Sequence, residues 1–189
     1  LHGYAQAGFA CAMIEDQVAP KRCGHTRGKQ VVGRAEALSR VRAAVEARDE
    51  GAGILVMART DARAPEGLDE AVARGVAFAE LGADIVFVEA PRSEDEMARI
   101  CREVPGPKMA NLVEDGDTPL LSPARLEAIG FKIAAYPLTL LMVAAQAMRG
   151  ALLDLKSGDH PAERLRFHEL QALVGFPHYD EALARLHRE

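Results

Sequence analysis

The chain has 189 residues, 49% of them apolar and 27% charged, and a net charge of −5, so it is long enough to bury a core and has no general attraction for nucleic acid or an anionic membrane. No apolar run approaches the roughly 18 residues of a membrane helix, and no cationic stretch leads into an apolar one as an export signal does. Three cysteines, Cys11, Cys23 and Cys101, are too sparse and odd a set for a disulfide framework, which points to a reducing, cytoplasmic setting.

In chain order, the sequence opens at Leu1 in what reads as the end of a helix. Ala12-Met13-Ile14 is a short apolar run leading into Glu15-Asp16-Gln17, and Lys21-Arg22-Cys23-Gly24-His25 follows. Residues 34–49 place Ala37, Leu38, Val41 and Val45 on one helical face. A second apolar run, 54–58, leads into Arg59-Thr60-Asp61, and a helix over 68–81 stops at Gly82. Ile85-Val86-Phe87-Val88 leads into Glu89, and Ser93 and Glu96 have capping-box spacing. Lys108-Met109-Ala110 leads into Asn111 and a polar loop containing Thr118-Pro119. Ser122-Pro123 opens a further helix closed by Gly130, and a last apolar run covers 132–136. A long helix is predicted over 138–155, a turn-rich connector over 156–161, then short helices over 167–174 and 179–187.

Five strand–helix units in series with short connections predict an α/β protein with parallel strands, each buried on both faces. An open doubly wound sheet and a (β/α)8 barrel both accept this pattern. No G-x-G-x-x-G follows a strand, which weakens the nucleotide-binding form of the open sheet. The chemically interesting residues fall at the C-terminal ends of strands, where both architectures place their sites.

Each candidate has a plain structural alternative. Glu15 suits Mg²⁺, directly or through water, or caps a turn. The cations around Cys23 favour its thiolate and Gly24 permits a tight approach, whereas a surface basic loop or a buried inert thiol explains the pentad equally. Arg59 is placed to grip a carboxylate by two parallel hydrogen bonds, or else to pair with Asp61 or Glu89. A buried Glu89 needs a partner. Asn111 and Thr118 offer hydrogen bonds to substrate oxygens or lie in a surface turn. Cys11 and Cys101 read as core; His168 and His178 read as structural or solvated.

The ordered set Glu15-Asp16-Gln17, Pro20 to His25, Ala58 to Ala62, Phe87 to Ala90, Ala110-Asn111 and Tyr136-Pro137-Leu138 resembles the isocitrate lyase/phosphoenolpyruvate mutase superfamily, in particular its 2-methylisocitrate and 2-alkylmalate (dimethylmalate-type) lyases. The resemblance implies a (β/α)8 TIM-type barrel, here lacking about the first three βα units, with 1–157 as a partial barrel and 158–189 as a helical extension exchanged between subunits of a homotetramer. Those units carry a serine–glycine loop and an Asp-rich metal motif in the family, so the chain is expected to be part of a longer protein and to be inactive alone. The resemblance also implies Mg²⁺, with Mn²⁺ as a substitute, and a small carboxylate as substrate, with no nucleic-acid or membrane partner. The implied reaction is carbon–carbon cleavage of a 2-hydroxy di- or tricarboxylate through an enolate. Cys23, Arg59 and Glu89 would be catalytic, Glu15 would support the metal, and Lys21, Arg22, Gly24, His25, Arg59, Asn111 and Thr118 would bind substrate. Phosphonomutase or oxaloacetate decarboxylase chemistry is the alternative, as is an inactive truncated barrel serving in oligomerisation. Cys23 and Glu89 match the lyase branch.

Overall fold

The computed structural model describes residues 1–23 and 28–186. They fall into two compact units, Leu1–Leu140 and Leu141–Glu189. In the first, a short helix α1 (His2–Gln6) precedes β1 (Cys11–Glu15), α2 (Arg34–Ala47), β2 (Leu55–Thr60), α3 (Leu68–Glu80), β3 (Ile85–Val88), α4 (Glu94–Glu103), β4 (Met109–Asn111), α5 (Pro123–Ile129) and β5 (Ile133–Ala135).

All strand pairs are parallel. β1 pairs with β2 and β2 with β3, β4 pairs with β5, and a single parallel bridge between Val86 and Lys108 joins the two groups. The spatial order therefore follows the chain order without a reversal. A doubly wound sheet turns back at a switch point, whereas a barrel wall is built this way. The fold is a TIM-barrel-like arc, and the strands among the described residues do not close into a ring.

Side chains alternate across the arc. One face sends Val56, Ala58, Val86 and Val88 against Ala37, Val41 and Val45 of α2 and Ala71, Val72 and Phe78 of α3, forming the main core. On the other face Met57, Ile85 and Phe87 pack together with Cys11 and Met109. The expected burial of every strand on both faces does not hold. Met13, Leu55 and Ile133, on this second face, are exposed, because an arc that does not close leaves part of its inner surface without a strand opposite.

Local signals act largely as the sequence predicts. The Ser93 hydroxyl accepts from the Glu96 N–H at 3.2 Å, but the Glu96 carboxylate takes the N–H of Arg92, one residue earlier than a capping box requires. The Ser122 hydroxyl accepts from the Arg125 N–H, and Gly130 ends α5 at φ +118. The helix predicted over 34–49 stops at Ala47, with a wide turn through Arg48–Ala52 that uses Gly51 at φ +106. α6 (Thr139–Ser157) contains the boundary between the two units, and the second also holds α7 (Phe167–Leu173) and α8 (Phe176–Leu186). α8 starts three residues before the predicted position, with Pro177 tolerated in its first turn. No residue of α7 or α8 is buried. No helix among the described residues is long and apolar enough to cross a membrane.

Candidate active site

Register places the site. Glu15 stands beside Arg59 at the C-terminal ends of β1 and β2, and Arg59 beside Phe87 of β3. Arg59 is thus inside β2, not just beyond it as the sequence suggests. Alternation puts Glu15 and Arg59 on the inner face, and Glu89 follows β3 with its N–H bonded to the Thr60 carbonyl at 3.0 Å.

The Arg59 guanidinium is the hub. Its Nε donates to Asp61 Oδ2 at 2.8 Å and its Nη2 to Asp61 Oδ1 at 3.1 Å. Nη2 also lies 2.7 Å from Glu89 Oε2, and Nε lies 3.4 Å from Glu15 Oε2. The group's Cζ sits 4.9 Å over the Phe87 ring centre, a cation–π contact. Both pairings weighed as structural alternatives for Arg59 are therefore made, and they leave one nitrogen over: among the described residues Nη1 makes no hydrogen bond. Burial works against the charge of Arg59, but the carboxylates around it outweigh that and raise its pKa. Burial likewise pushes the Asp61 carboxyl up, and the hydrogen bonds and charge of Arg59, with Lys29 and Gln17, hold it below the usual carboxylate range.

Glu89 is fully buried, accepts from the Ala90 N–H at 3.1 Å and faces the Asn111 amide, whose Nδ2 is 3.3 and 3.4 Å from its two oxygens. Ala90 holds a left-handed φ of +57, a conformation L-residues rarely adopt and one that clusters at functional sites.

The excursion between β1 and α2 returns to the same hub. Its base is an antiparallel bridge between Gln17 and Val31, flanked by bonds from Val18 N–H to the Gln30 carbonyl and from Val32 N–H to the Asp16 carbonyl. The Gln17 amide clamps Arg22, accepting its N–H at 2.8 Å and donating to its carbonyl at 2.9 Å. Lys21 Nζ lies 2.7 Å from Glu15 Oε1, and Lys29 Nζ lies 3.3 Å from Asp61 Oδ1. Cys23 is exposed and follows directly on the clamped residue. Gly24 and His25 lie outside the described residues.

The structure therefore brings together Glu15, Lys21, Arg59, Glu89 and Asn111, and holds the backbone of Arg22 next to them. Thr118 is buried on the loop after β4; its hydroxyl has no hydrogen-bond partner among the described residues, and no bond joins it to the Arg59 cluster. Sequence reasoning missed Lys29 and Arg74, and it placed Asp16 and Gln17 in the motif that ends the first strand without giving either a role at the site. Asp16 accepts from Thr60 Oγ1 at 2.7 Å, from the Asp61 N–H at 2.9 Å and from Arg74 Nη1 at 3.0 Å, bracing the site from the helix side of the arc.

For a divalent metal, one donor fits. Glu15 Oε2 is buried without a hydrogen-bond partner, and Mg²⁺ keeps several waters and needs only one or two protein carboxylates. Among the described residues no group of three or more His, Cys, Asp or Glu side chains forms a full site.

Residues 2–156 match the family model described as phosphoenolpyruvate phosphomutase, and the chain belongs to the phosphoenolpyruvate mutase/isocitrate lyase superfamily. It is 44% identical over 176 residues to 2,3-dimethylmalate lyase of Eubacterium barkeri, covering 91% of this chain and 61% of that protein. It is 38% identical over 166 residues to 2-methylisocitrate lyase of Bacillus subtilis (strain 168), covering 88% and 54%. A trigonal crystal structure of 2,3-dimethylmalate lyase superposes with a TM-score of 0.88 at 36% identity, covering 97% of this chain and 62% of that one. Phosphonopyruvate hydrolase in complex with oxalate and Mg²⁺ superposes with a TM-score of 0.78 at 27% identity, covering 97% and 65%. The chain thus spans between 54% and 65% of the length of these relatives.

Proposed function

We propose that the protein is an Mg²⁺-dependent carbon–carbon lyase that cleaves a 2-hydroxy di- or tricarboxylate of the 2-alkylmalate or 2-methylisocitrate type to a 2-oxo acid and a carboxylate. The observation that carries this reading is the inner-face cluster in which Glu15, Asp61 and Glu89 hold Arg59 while its Nη1 takes no part. A guanidinium fixed on two edges, with a third nitrogen available, is pre-organised to bind a carboxylate. The reading also agrees with the lyases the chain resembles and with the Mg²⁺ and oxalate of the phosphonopyruvate hydrolase complex.

A general base, separate from the residues named for the other steps, takes the proton of the 2-hydroxyl, and that oxygen becomes a carbonyl as the C2–C3 bond breaks. This proton equivalent returns through solvent to the Cys23 thiolate at the end of the cycle. The bonding pair passes to C3, where the adjacent carboxylate delocalises it as an enolate, and a proton delivered to C3 completes the reaction. Arg59 binds the carboxylate on the 2-oxo-acid side, and Glu89 and Asp61 keep its fork from turning. Cys23 supplies the proton to C3 from Sγ; Lys21, Arg22 and His25 beside it in sequence tune the thiol and bind carboxylate, and Gly24 is the residue that would permit a tight approach. Asn111, which faces Glu89, and Thr118 would bind the distal carboxylate. Glu15 would hold the metal, directly or through water, and the metal when bound supplies positive charge to the 2-oxo acid oxygens. Residues 1–157 form the catalytic part, and 158–189 the extension exchanged within a homotetramer in the cytoplasm.

The test is turnover of 2,3-dimethylmalate and 2-methylisocitrate by the full-length protein with Mg²⁺, and by its Cys23→Ser variant. The expected result is cleavage of at least one substrate and a fall in kcat of at least ~100-fold in the variant. Full turnover by Cys23→Ser rules out the thiol as acid. Turnover of phosphonopyruvate or oxaloacetate with neither alkylmalate nor methylisocitrate cleaved moves the protein to the mutase or decarboxylase branch.

A further inference from the structure

The excursion over 18–31 is tied to the Arg59 cluster by two lysines that differ sharply in setting. On the outgoing arm Lys21 reaches Glu15 with a side chain 61% exposed; on the return arm Lys29 reaches Asp61 with a side chain 3% exposed, and the Asp61 side chain is fully buried. An exposed pair of this kind is screened and easily exchanged for water, whereas a buried ammonium is retained only where its partner is fixed. Asp61 is fixed indeed: its N–H is held by Asp16, its Oδ2 by Arg59 Nε, and its Oδ1 is shared between Arg59 Nη2 and Lys29 Nζ.

We propose that Lys29 is a positioning residue for the reaction, acting through Asp61 to set the orientation of the Arg59 fork and to lock the return arm of the Cys23-bearing excursion in register with it. This deepens the lyase reading and rests on it for the statement that Arg59 and Cys23 serve one reaction. The geometry is direct. Arg59 takes both oxygens of Asp61, so the carboxylate and the fork can still tilt together as one unit, and the contact from Lys29 to Oδ1, from a different part of the chain, fixes that unit. Because the same ammonium belongs to the strand-like return arm that bridges Gln17 through Val31, any displacement of that arm is transmitted to the carboxylate that aligns Arg59. Lys21 makes no such link, since Glu15 meets Arg59 only at 3.4 Å.

The experiment compares Lys29→Met, Lys29→Arg and Lys21→Met in the full-length protein by two readouts. The first is independent of activity: the rate of trypsin cleavage after Arg22. The expected result is cleavage at least tenfold faster in Lys29→Met, with sites outside 18–31 unaffected, and a rate within threefold of the parent in Lys29→Arg and Lys21→Met. The second is steady-state turnover, where Lys29→Met is expected to lose at least tenfold in kcat/KM, the arginine variant recovering to within threefold. Should Lys29→Met not fold, Lys29→Gln, which keeps a hydrogen bond to Asp61 without the charge, takes its place in both. The proposal is overturned if Lys29→Met lowers Tm while kcat/KM and Arg22 cleavage stay at parent values, if cleavage accelerates equally across the chain, or if Lys29→Arg is as defective as Lys29→Met. An absence of lyase turnover in the parent would defeat the functional reading alone, because the cleavage readout remains.

Discussion

Arg59 and Arg74 are both buried arginines among carboxylates, yet they are finished differently. Arg74, on α3, has every nitrogen engaged: Nε with Glu70 at 2.9 Å, Nη1 with Asp16 at 3.0 Å and the Val32 carbonyl at 2.8 Å, and Nη2 with Glu66 at 2.8 Å. Arg59, on the opposite face of the arc, stops short, with Nη1 making no bond among the described residues. Burying a guanidinium costs free energy unless its donors are met, so a complete set is the expected end point where the only task is to hold the fold. Under the proposed function, the nitrogen left over on Arg59 is the one that takes a substrate carboxylate. The two are coupled through Asp16, which takes Arg74 on one side and the Asp61 N–H on the other.

Paired Arg→Lys substitutions break this comparison if the difference is not real. A lysine keeps the charge but not the fork. Arg74→Lys loses several charge-assisted bonds at once and is expected to cost about 3 kcal/mol of stability, read as a fall in Tm of roughly 10 °C, with kcat unchanged in the molecules that remain folded. Arg59→Lys is expected to do the reverse, lowering kcat/KM by about 100-fold with a smaller Tm change. Equal loss of turnover in both would show that Arg74 is not confined to the fold. Thr60→Val sharpens the coupling between them. It removes the hydroxyl that donates to Asp16 at 2.7 Å and accepts the Ala62 N–H at 3.2 Å, with expected costs of about 1–2 kcal/mol by urea denaturation and only a few-fold in kcat/KM.

What the sequence disclosed follows the same division. Glu15, Arg59 and Glu89 were legible because each closes a short apolar run, and a polar residue at that point of a parallel strand lies at the rim of the sheet whatever the rest of the chain does. The parallel order was legible from the alternation of runs and helices; whether the sheet opens or curls was not, because that depends on pairings such as Val86 with Lys108. Arg74 was hidden in an Ala-rich helix, although Glu66, Glu70 and Arg74 at four-residue spacing were a readable signal for a ladder along one face. Lys29 left no such trace, and Gln17 stood in a recognised motif without a sign of what it holds. Their partners, Asp61 and the backbone of Arg22, are defined by how the excursion folds back and not by any periodicity. Asp61 was weighed only as a structural partner for Arg59, and its second cation changes its meaning.

A third arginine sets the scale for a pair with no substrate role in view. Arg63 donates from Nε to Glu96 Oε2 at 2.8 Å and from Nη2 to the other oxygen, with side chains 14% and 20% exposed. The hydrogen bonds from Arg63 hold the Glu96 carboxyl below its ordinary range, against a smaller opposing effect of burial and with help from the Arg92 N–H. A carboxyl depressed in the folded state contributes stability that is fully present above its unfolded value, about 4.3, and is lost as pH falls through the depressed folded value. Glu96→Gln is therefore expected to cost about 1 kcal/mol at pH 7, read from the urea midpoint, with the gap to the parent protein narrowing steadily below about pH 4. A gap of the same size at pH 7 and pH 3 would mean that Glu96 acts by packing rather than by charge. The bidentate pair would then be a poor yardstick for Arg59 and Arg74.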